Sequence, residues 1–376
     1  MAPHRTSAHS FEPYTKQMEV LVKTFNARLQ AGGETHYRFR ETYLPDYPPE
    51  AGRSLYQQSI LLVQGGEVRG GYTLKYQKFV IRGAVEHIAC GPQLPLSEGI
   101  VNPRYGMNGL LLLSDALSRQ PLLFALGMGG LEEPFPKLLK ADGWPIFAVP
   151  FYFKIVEPAR FLENINYLKN GRARALLLDL MRRTGIGQVG IRIAQLRLGR
   201  ADPSVHAEPV AEFGPWADAL WAKCADKYSF CAVRDRETMS CLYPRDSRFI
   251  RLHVSRQGES IGWATLLDTQ MSGHKFFGDM HVGSIIDCLA LPEDATAVVR
   301  AAAGYLEARR PDLIVSNQAS AAWRRALVAN GFLRGPSNYL LAISKPLAER
   351  LHPLEESRSG IHINRGDGDG PVNINL

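Results

Sequence analysis

Leu138-Leu-Lys-Ala-Asp142-Gly143-Trp144, followed by the aromatic run Phe151-Tyr-Phe-Lys-Ile155, and Leu327-Val-Ala-Asn330-Gly331-Phe332, followed by Tyr339-Leu-Leu-Ala-Ile-Ser344, decide how this chain folds. Each reads as the end of a helix, a glycine stop, an aromatic residue and then a β-rich run. A glycine after a helix is ordinary by itself. The same succession occurring twice points to a repeat.

Outward from these two stops the order of elements is the same. In the first copy, 59–63 and 70–76 read as strands around Gly65-Gly66, and 85–90 as a further strand. A glycine-bearing loop, a helix over 109–118, a buried strand over 122–126, a helix over 132–141 and a strand over 149–156 follow. In the second copy the strands are 249–255, 260–267 and 283–290, then helix 295–309, strand 312–316, helix 320–329 and strand 339–344. Strands joined by crossover helices require parallel neighbours. The expected fold class is therefore α/β: two domains, each a mixed, largely antiparallel sheet with flanking helices and ligands favoured where the sheet opens at strand ends.

The 376 residues suffice for two cores, and 45% hydrophobic with 22% charged residues is an ordinary globular composition. The expected organisation is a disordered N-terminus (1–15), a first domain (16–163), a connector (164–209) rich in Arg and Leu, a second domain (210–352) and a disordered tail (353–376). The tail earns that reading because Glu355 to Gly360 and Asn364 to Pro371 carry almost no large apolar residues. A formal charge of +7 favours phosphate-bearing ligands, but no block of like charges reads as a nucleic-acid tail. No apolar run approaches the roughly 18 residues that span a bilayer, and Met1 to Tyr14 has no apolar signal core. The five cysteines are odd in number and form no C-x-x-C pair, which argues against a disulfide framework and a zinc site. A cytoplasmic protein without a metal is expected.

The order of elements, closed by a helix ending in Asp142-Gly143-Trp144 or Asn330-Gly331-Phe332 and an aromatic strand, resembles the GNAT acyltransferase superfamily applied twice, over roughly residues 36 to 160 and 210 to 346. The resemblance implies two GNAT-like domains and transfer of an acyl group, acetyl above all, from acyl-coenzyme A to an amine or hydroxyl. Similar tandem proteins stand beside polysaccharide-assembly enzymes, which implies a sugar or glycan precursor as the acceptor. The superfamily's phosphate loop reads Gln or Arg, two residues, Gly, one residue, Gly or Ala. Here Pro103-Arg104-Tyr105-Gly106-Met107-Asn108-Gly109 has a glycine spacing longer by one, with Arg104 two residues before Gly106. In the second copy Pro292-Glu293-Asp294-Ala295-Thr296-Ala297 has no glycine, and its two acids repel a phosphate. The first copy is thus the expected cofactor site, with Cys90, Arg104, Tyr105, Gly106, Asn108 and Gly109 around acyl-coenzyme A.

Acyl transfer to an amine or hydroxyl needs a base, an oxyanion stabiliser and an acid for the departing thiolate. Glu86 and His87 are the titratable pair on the strand over 85–90, on opposite faces, so one of them is the expected base unless both are edge residues. Cys90 reads either as an acyl-accepting nucleophile or as a buried inert cysteine. The loop Gly127 to Pro136 has the glycines of an active-site loop. Phe135 stands near where the resemblance implies a thiolate-protonating tyrosine, which leaves Tyr152 as the substitute acid. In the second copy Asp287, Asn317 and Trp323 are candidates to bind a polar acceptor, and Asn317 reads equally as a helix cap. Two rival readings stand beside acyl-coenzyme A chemistry. Duplicated folds of this kind also resemble the FemABX aminoacyl-transferase group, and a non-catalytic protein can bind a metabolite or partner with the same fold.

Overall fold

The computed structural model describes residues 9–43, 55–164, 195, 202–274 and 277–368; most of the expected connector lies outside them. By its internal contacts the chain forms two units, residues 1–79, 85–147 and 340–350 in the first and 80–84, 148–339 and 351–376 in the second.

In the first unit the strands β1 (His9–Pro13), β2 (Leu55–Gln64), β3 (Glu67–Ile81), β4 (Ala84–Ser97), β5 (Leu123–Leu126) and β6 (Ile146–Ala148) are joined by β15 (Leu340–Ile343) in the order β1-β2-β3-β4-β5-β15-β6. Helix α1 (Glu19–Ala31) covers one face through Val22, Phe25 and Leu29, which pack on Leu61, Val68 and Leu96. Helices α2 (Asn108–Arg119) and α3 (Pro134–Ala141) cover the other through Leu112, Leu113, Ala116 and Leu139, against Ile60, Leu62, Tyr72 and Leu74. The run Ile60-Leu61-Leu62 is continuous rather than alternating because β2 is covered on both sides. Each such leucine contributes about 1.5 to 3 kcal/mol by leaving water. Residues 9–13, expected to be disordered, instead form the edge strand, with Phe11 opposite Leu62.

The second unit contains β7 (Phe151–Ile155), α4 (Pro158–Asn164), β8 (Val205–Val210), α5 (Pro215–Cys224), β9 (Phe230–Ala232), α6 (Arg236–Leu242), β10 (Ile250–Arg256), β11 (Glu259–Gln270), β12 (His281–Ala290), α7 (Ala295–Glu307), β13 (Leu313–Asn317), α8 (Ala321–Ala329) and β14 (Leu333–Gly335). Its main sheet runs β14-β7-β13-β12-β11-β10-β8, antiparallel except for β12 beside β13. Both helix stops read from the sequence are present: Gly143 and Gly331 have φ of 79° and 80°, a left-handed conformation that a residue with a Cβ adopts only with strain.

The strand after each stop belongs to the other copy's sheet. Phe151–Ile155, expected to close the first copy, pairs antiparallel with β13, whereas Leu340–Ile343, expected to close the second, pairs antiparallel with β5. In both places a three-residue edge strand comes first, β6 or β14, and a proline follows before the next strand, Pro150 or Pro336. Proline has no N–H to continue a ladder, so each edge strand ends there and the chain starts afresh. Each exchanged strand is locked in its sheet: Ser344 N–H donates to the Leu123 carbonyl at 2.8 Å, and Lys154, 7% exposed, donates to the Asn330 carbonyl at 2.9 Å.

The tail is also more ordered than its composition implies. After α9 (Lys345–Arg350), the helix α10 (Leu354–Ser357), the short strand β16 (Ile361–His362) and a turn through Asp367 are folded into the second unit, with His362, Asn364 and Asp367 all buried. The polar residues that made the tail read as disordered are matched by polar partners in the core.

Candidate functional site

Parallel neighbours β4 and β5 pair at Ala89–Leu123 and Cys90–Phe124. Beyond Cys90, β4 runs on to Ser97 while β5 stops at Leu126, and the two strands part. A strand edge released in this way presents backbone N–H and C=O groups to whatever enters. Between the parted strands and α2 lies an apolar pocket lined by Leu74, Gly91, Pro95, Leu113, Phe124 and Trp144, with Tyr72 among the remaining wall residues.

The chain then crosses from β4 to α2 through two 3-10 turns, Glu98–Ile100 and Pro103–Tyr105. Glu98, 4% exposed, anchors this connection by accepting from Arg28 Nε at 3.0 Å and Arg69 Nη1 at 2.8 Å. The Arg69 guanidinium in turn lies over the Tyr105 ring, 4.5 Å from its centroid. Gly99 is indispensable here, because a Cβ would meet the Tyr105 carbonyl oxygen at 2.4 Å. The Asn102 side chain accepts from Arg104 N–H at 3.1 Å, leaving the Arg104 side chain exposed beside the start of α2. First-turn N–H groups of a helix lack intrahelical partners and carry the positive end of its dipole.

The structure brings some of the expected residues to this opening and removes others. Cys90 sits at the branch point, 1% exposed, as a buried strand residue rather than an accessible nucleophile. Arg104, Tyr105 and Gly106 form the connection, and Asn108 and Gly109 begin α2. Gly106 has φ −56° and caps the second turn, so any residue could adopt its backbone. Asn108 is buried and exchanges long hydrogen bonds of 3.4 Å with Gln64.

Glu86 and His87 lie at the other end of β4, before its first pairing with β5, and so about 10 to 13 Å along the strand from the branch point. Glu86 pairs with Arg350 at 3.5 Å. Tyr152 is in the second unit, opposite Ser316 and 4% exposed. Glu86 and His87 thus stand three to four residues before the place where β4 and β5 part. Asp287, Asn317 and Trp323 are core residues, 1%, 4% and 0% exposed. Asp287 accepts from Arg234, Tyr243 and Asn364 at 2.8 to 3.0 Å, and Trp323 Nε1 donates to Tyr228 Oη at 3.0 Å.

Sequence reasoning missed Glu98, Arg69 and the trio Tyr72, Asp115 and Arg119. Among the described residues that line the pocket, Tyr72 carries the one titratable side chain; its hydroxyl donates to Asp115, which also accepts from Arg119 Nε at 2.8 Å. Burial and then the Asp115 carboxylate hold the Tyr72 phenol far above its ordinary 10. Neighbouring Tyr76, stacked on Tyr56 at 4.4 Å, is pushed up to about 12, chiefly by burial. Among the described residues no cluster of three or more His, Cys, Asp or Glu is arranged to hold a metal, and no helix is long and apolar enough to cross a membrane.

No protein-family model matches the chain, and no curated protein matches it. Among solved structures, it is similar to a conserved Enterococcus faecalis V583 protein of unknown function described as a probable N-acyltransferase (TM-score 0.49, 10% identity, 89% of this chain and 72% of that one). A tandem GNAT protein from the clavulanic acid biosynthesis pathway gives TM-score 0.49 and 14% identity over 90% of this chain and 99% of that one. Saccharomyces cerevisiae N-myristoyltransferase with bound myristoyl-CoA gives 0.47 and 8% over 91% and 79%. At such distances the fold rests on the strand order and register given above.

Proposed function

We propose that the first unit binds an acyl-coenzyme A between β4 and β5 and transfers its acyl group, acetyl in the first instance, to an amine or hydroxyl acceptor, with an amino sugar or glycan precursor as the class to try first. The observation that carries this reading is the parting of two parallel strands over an apolar pocket, directly followed by a connection that exposes Arg104 at the start of α2. The donor supplies an activated thioester carbonyl. The pocket, of about 20 Å³, suits a group the size of the acetyl methyl, and the amide edge of β4 past Cys90 can pair with the amide-bearing arm and donate to the thioester carbonyl oxygen as it gains charge. Arg104 and the first turn of α2 suit its phosphates. Because the Tyr72 hydroxyl is engaged by Asp115, the acceptor loses its proton to solvent, which favours a nucleophile that is neutral at working pH.

A second reading is a non-catalytic metabolite binder. It is favoured by that same engagement of the one titratable group on the pocket wall. Thermal unfolding with and without acetyl-coenzyme A, in wild type and Gly106→Glu, separates the possibilities. Ligand at 100 times its Kd adds about 2.7 kcal/mol. A shift lost in the variant, with turnover on amines or amino sugars, supports the transferase; a shift without turnover supports a coenzyme A binder; no shift with acetyl- or longer acyl-coenzyme A rejects the coenzyme A reading and leaves a binder of another metabolite.

A further inference from the structure

In the second unit the corresponding parallel strands, β12 and β13, pair as far as Ile285–Ser316. Past that point the space between them is entered by the chain's own residues 361–367. Ala319 N–H donates to the Ile363 carbonyl at 3.0 Å and Gln318 bridges Asn364 on the β13 side; on the β12 side His362 Nε2 meets the Cys288 carbonyl at 2.8 Å and Asn364 Nδ2 donates to Asp287 at 2.8 Å. The backbone of Ile361 and His362 pairs in parallel with Phe230 and Cys231 of β9.

The side chains dock as those of a bound peptide do. The His362 ring stacks on Tyr228 at 4.7 Å and on Trp323 at 5.6 Å, in an aromatic slot. Asn364 folds the following turn through a reciprocal capping box with Asp367. Asp367 then receives both oxygens' hydrogen bonds from Arg234 Nη2, at 2.9 and 3.0 Å. Without this segment the charge in the cleft remains balanced, because Arg234 Nε also holds Asp287 at 3.0 Å and Tyr243 donates to Asp287 at 3.0 Å, while the Arg234 Nη2 group that bonds Asp367 becomes available to another carboxylate. One guanidinium and one carboxylate balance; Asp367 brings a second carboxylate that the body does not require for neutrality.

We propose that the opening between β12 and β13 is a peptide-recognition cleft, built for an extended segment with a flat ring and a carboxylate five residues further on, and that residues 361–367 occupy it in cis. Backbone pairing on β9 supplies the generic part of the binding, and the aromatic slot and Arg234 supply the selectivity. The anchor preceding it, Arg358 and Ser359, is exposed and can be opened without touching the cleft.

A protease site inserted between Arg358 and Ser359 of the full chain tests this. After folding and cleavage, the released tail should stay bound through desalting at micromolar concentration and then exchange with a fluorescein-labelled Ile361–Gly368 peptide. The same peptide carrying Asp367→Asn should bind about thirtyfold or more weakly, since one partner of a buried charged pair is lost. Equal binding of the two peptides, no binding of either by a protein that keeps its near-UV signal, or unfolding of the protein on loss of the tail would each overturn the proposal. Hydrogen exchange in the uncut chain gives an independent reading. Amides of 361–367 should open more readily than those of β12, whereas exchange of both through one global event would refute exchangeability.

Discussion

Arg69 lies over the ring of Tyr105 and, through Nη1, holds the buried carboxylate of Glu98 at 2.8 Å. The connection between β4 and α2 therefore takes its shape from β3 and α1, which contribute Arg69 and Arg28, as well as from the close approach that Gly99 allows. Glu98→Gln should destabilise the protein by about 2 kcal/mol, below the roughly 3 to 5 of a fully buried pair because both arginines keep some solvent. Urea unfolding measures this, and an unchanged midpoint would show the ion pairs to be dispensable.

The same arrangement predicts separable effects on ligand binding. Arg104 is exposed, so Arg104→Glu should weaken acetyl-coenzyme A by about fivefold at low salt and by less at high salt. Ala125, 4% exposed on β5, lines the pocket. Ala125→Leu should fill it, reducing acetyl-coenzyme A binding while leaving adenosine 3′,5′-diphosphate, which reaches only the connection, bound as before. Titration calorimetry distinguishes the two; equal losses for both ligands in Ala125→Leu would point to a general distortion.

Strand exchange makes the first unit dependent on a distant piece of sequence. Residues Leu340–Ile343 are all 4% exposed or less and cover the edge of β5. A fragment ending at residue 148 should therefore fail to fold, seen as a loss of near-UV circular dichroism, and should regain that signal when mixed with residues 149–376. Cooperative folding of the fragment alone would contradict the observed pairing.

That exchange also marks the limit of what the sequence discloses. The order of helices and strands follows from apolar periodicity and from Gly143 and Gly331, whose left-handed φ few other residues tolerate. Partner choice does not follow, because Phe151–Ile155 and Leu340–Ile343 are equally β-prone, and Pro150 and Pro336 say where a ladder ends without saying which sheet comes next. At the candidate site, the turn that carries Arg104 and Gly106 before α2 is legible from the loop's resemblance. Glu98 and Arg69 are not, since their pairing depends on the three-dimensional approach of β3 to the end of β4. For Glu86 and His87 the sequence is limited for a similar reason: alternation gives the face of a strand on which each stands but not how far along it lies from the opening.

His362 gives a pH dependence whose sign can be worked out. Its ring is fully buried, and burial first, then Arg234, holds its pKa well below the usual 6.5. The folded protein keeps the ring neutral while the unfolded chain protonates it near 6.5, so the unfolded state binds more protons below that pH. Stability should thus be full above about pH 6.5 and fall by about 1.4 kcal/mol per unit as the pH drops below it, until the folded-state pKa is reached. His253 and His274 are shifted in the same direction, mainly by burial, and add to the slope. His362→Gln isolates the one contribution: its unfolding free energy between pH 7 and pH 5.5 should fall less steeply than that of wild type. Parallel profiles for the two proteins would mean that His362 is protonated, or reaches water, in the folded state.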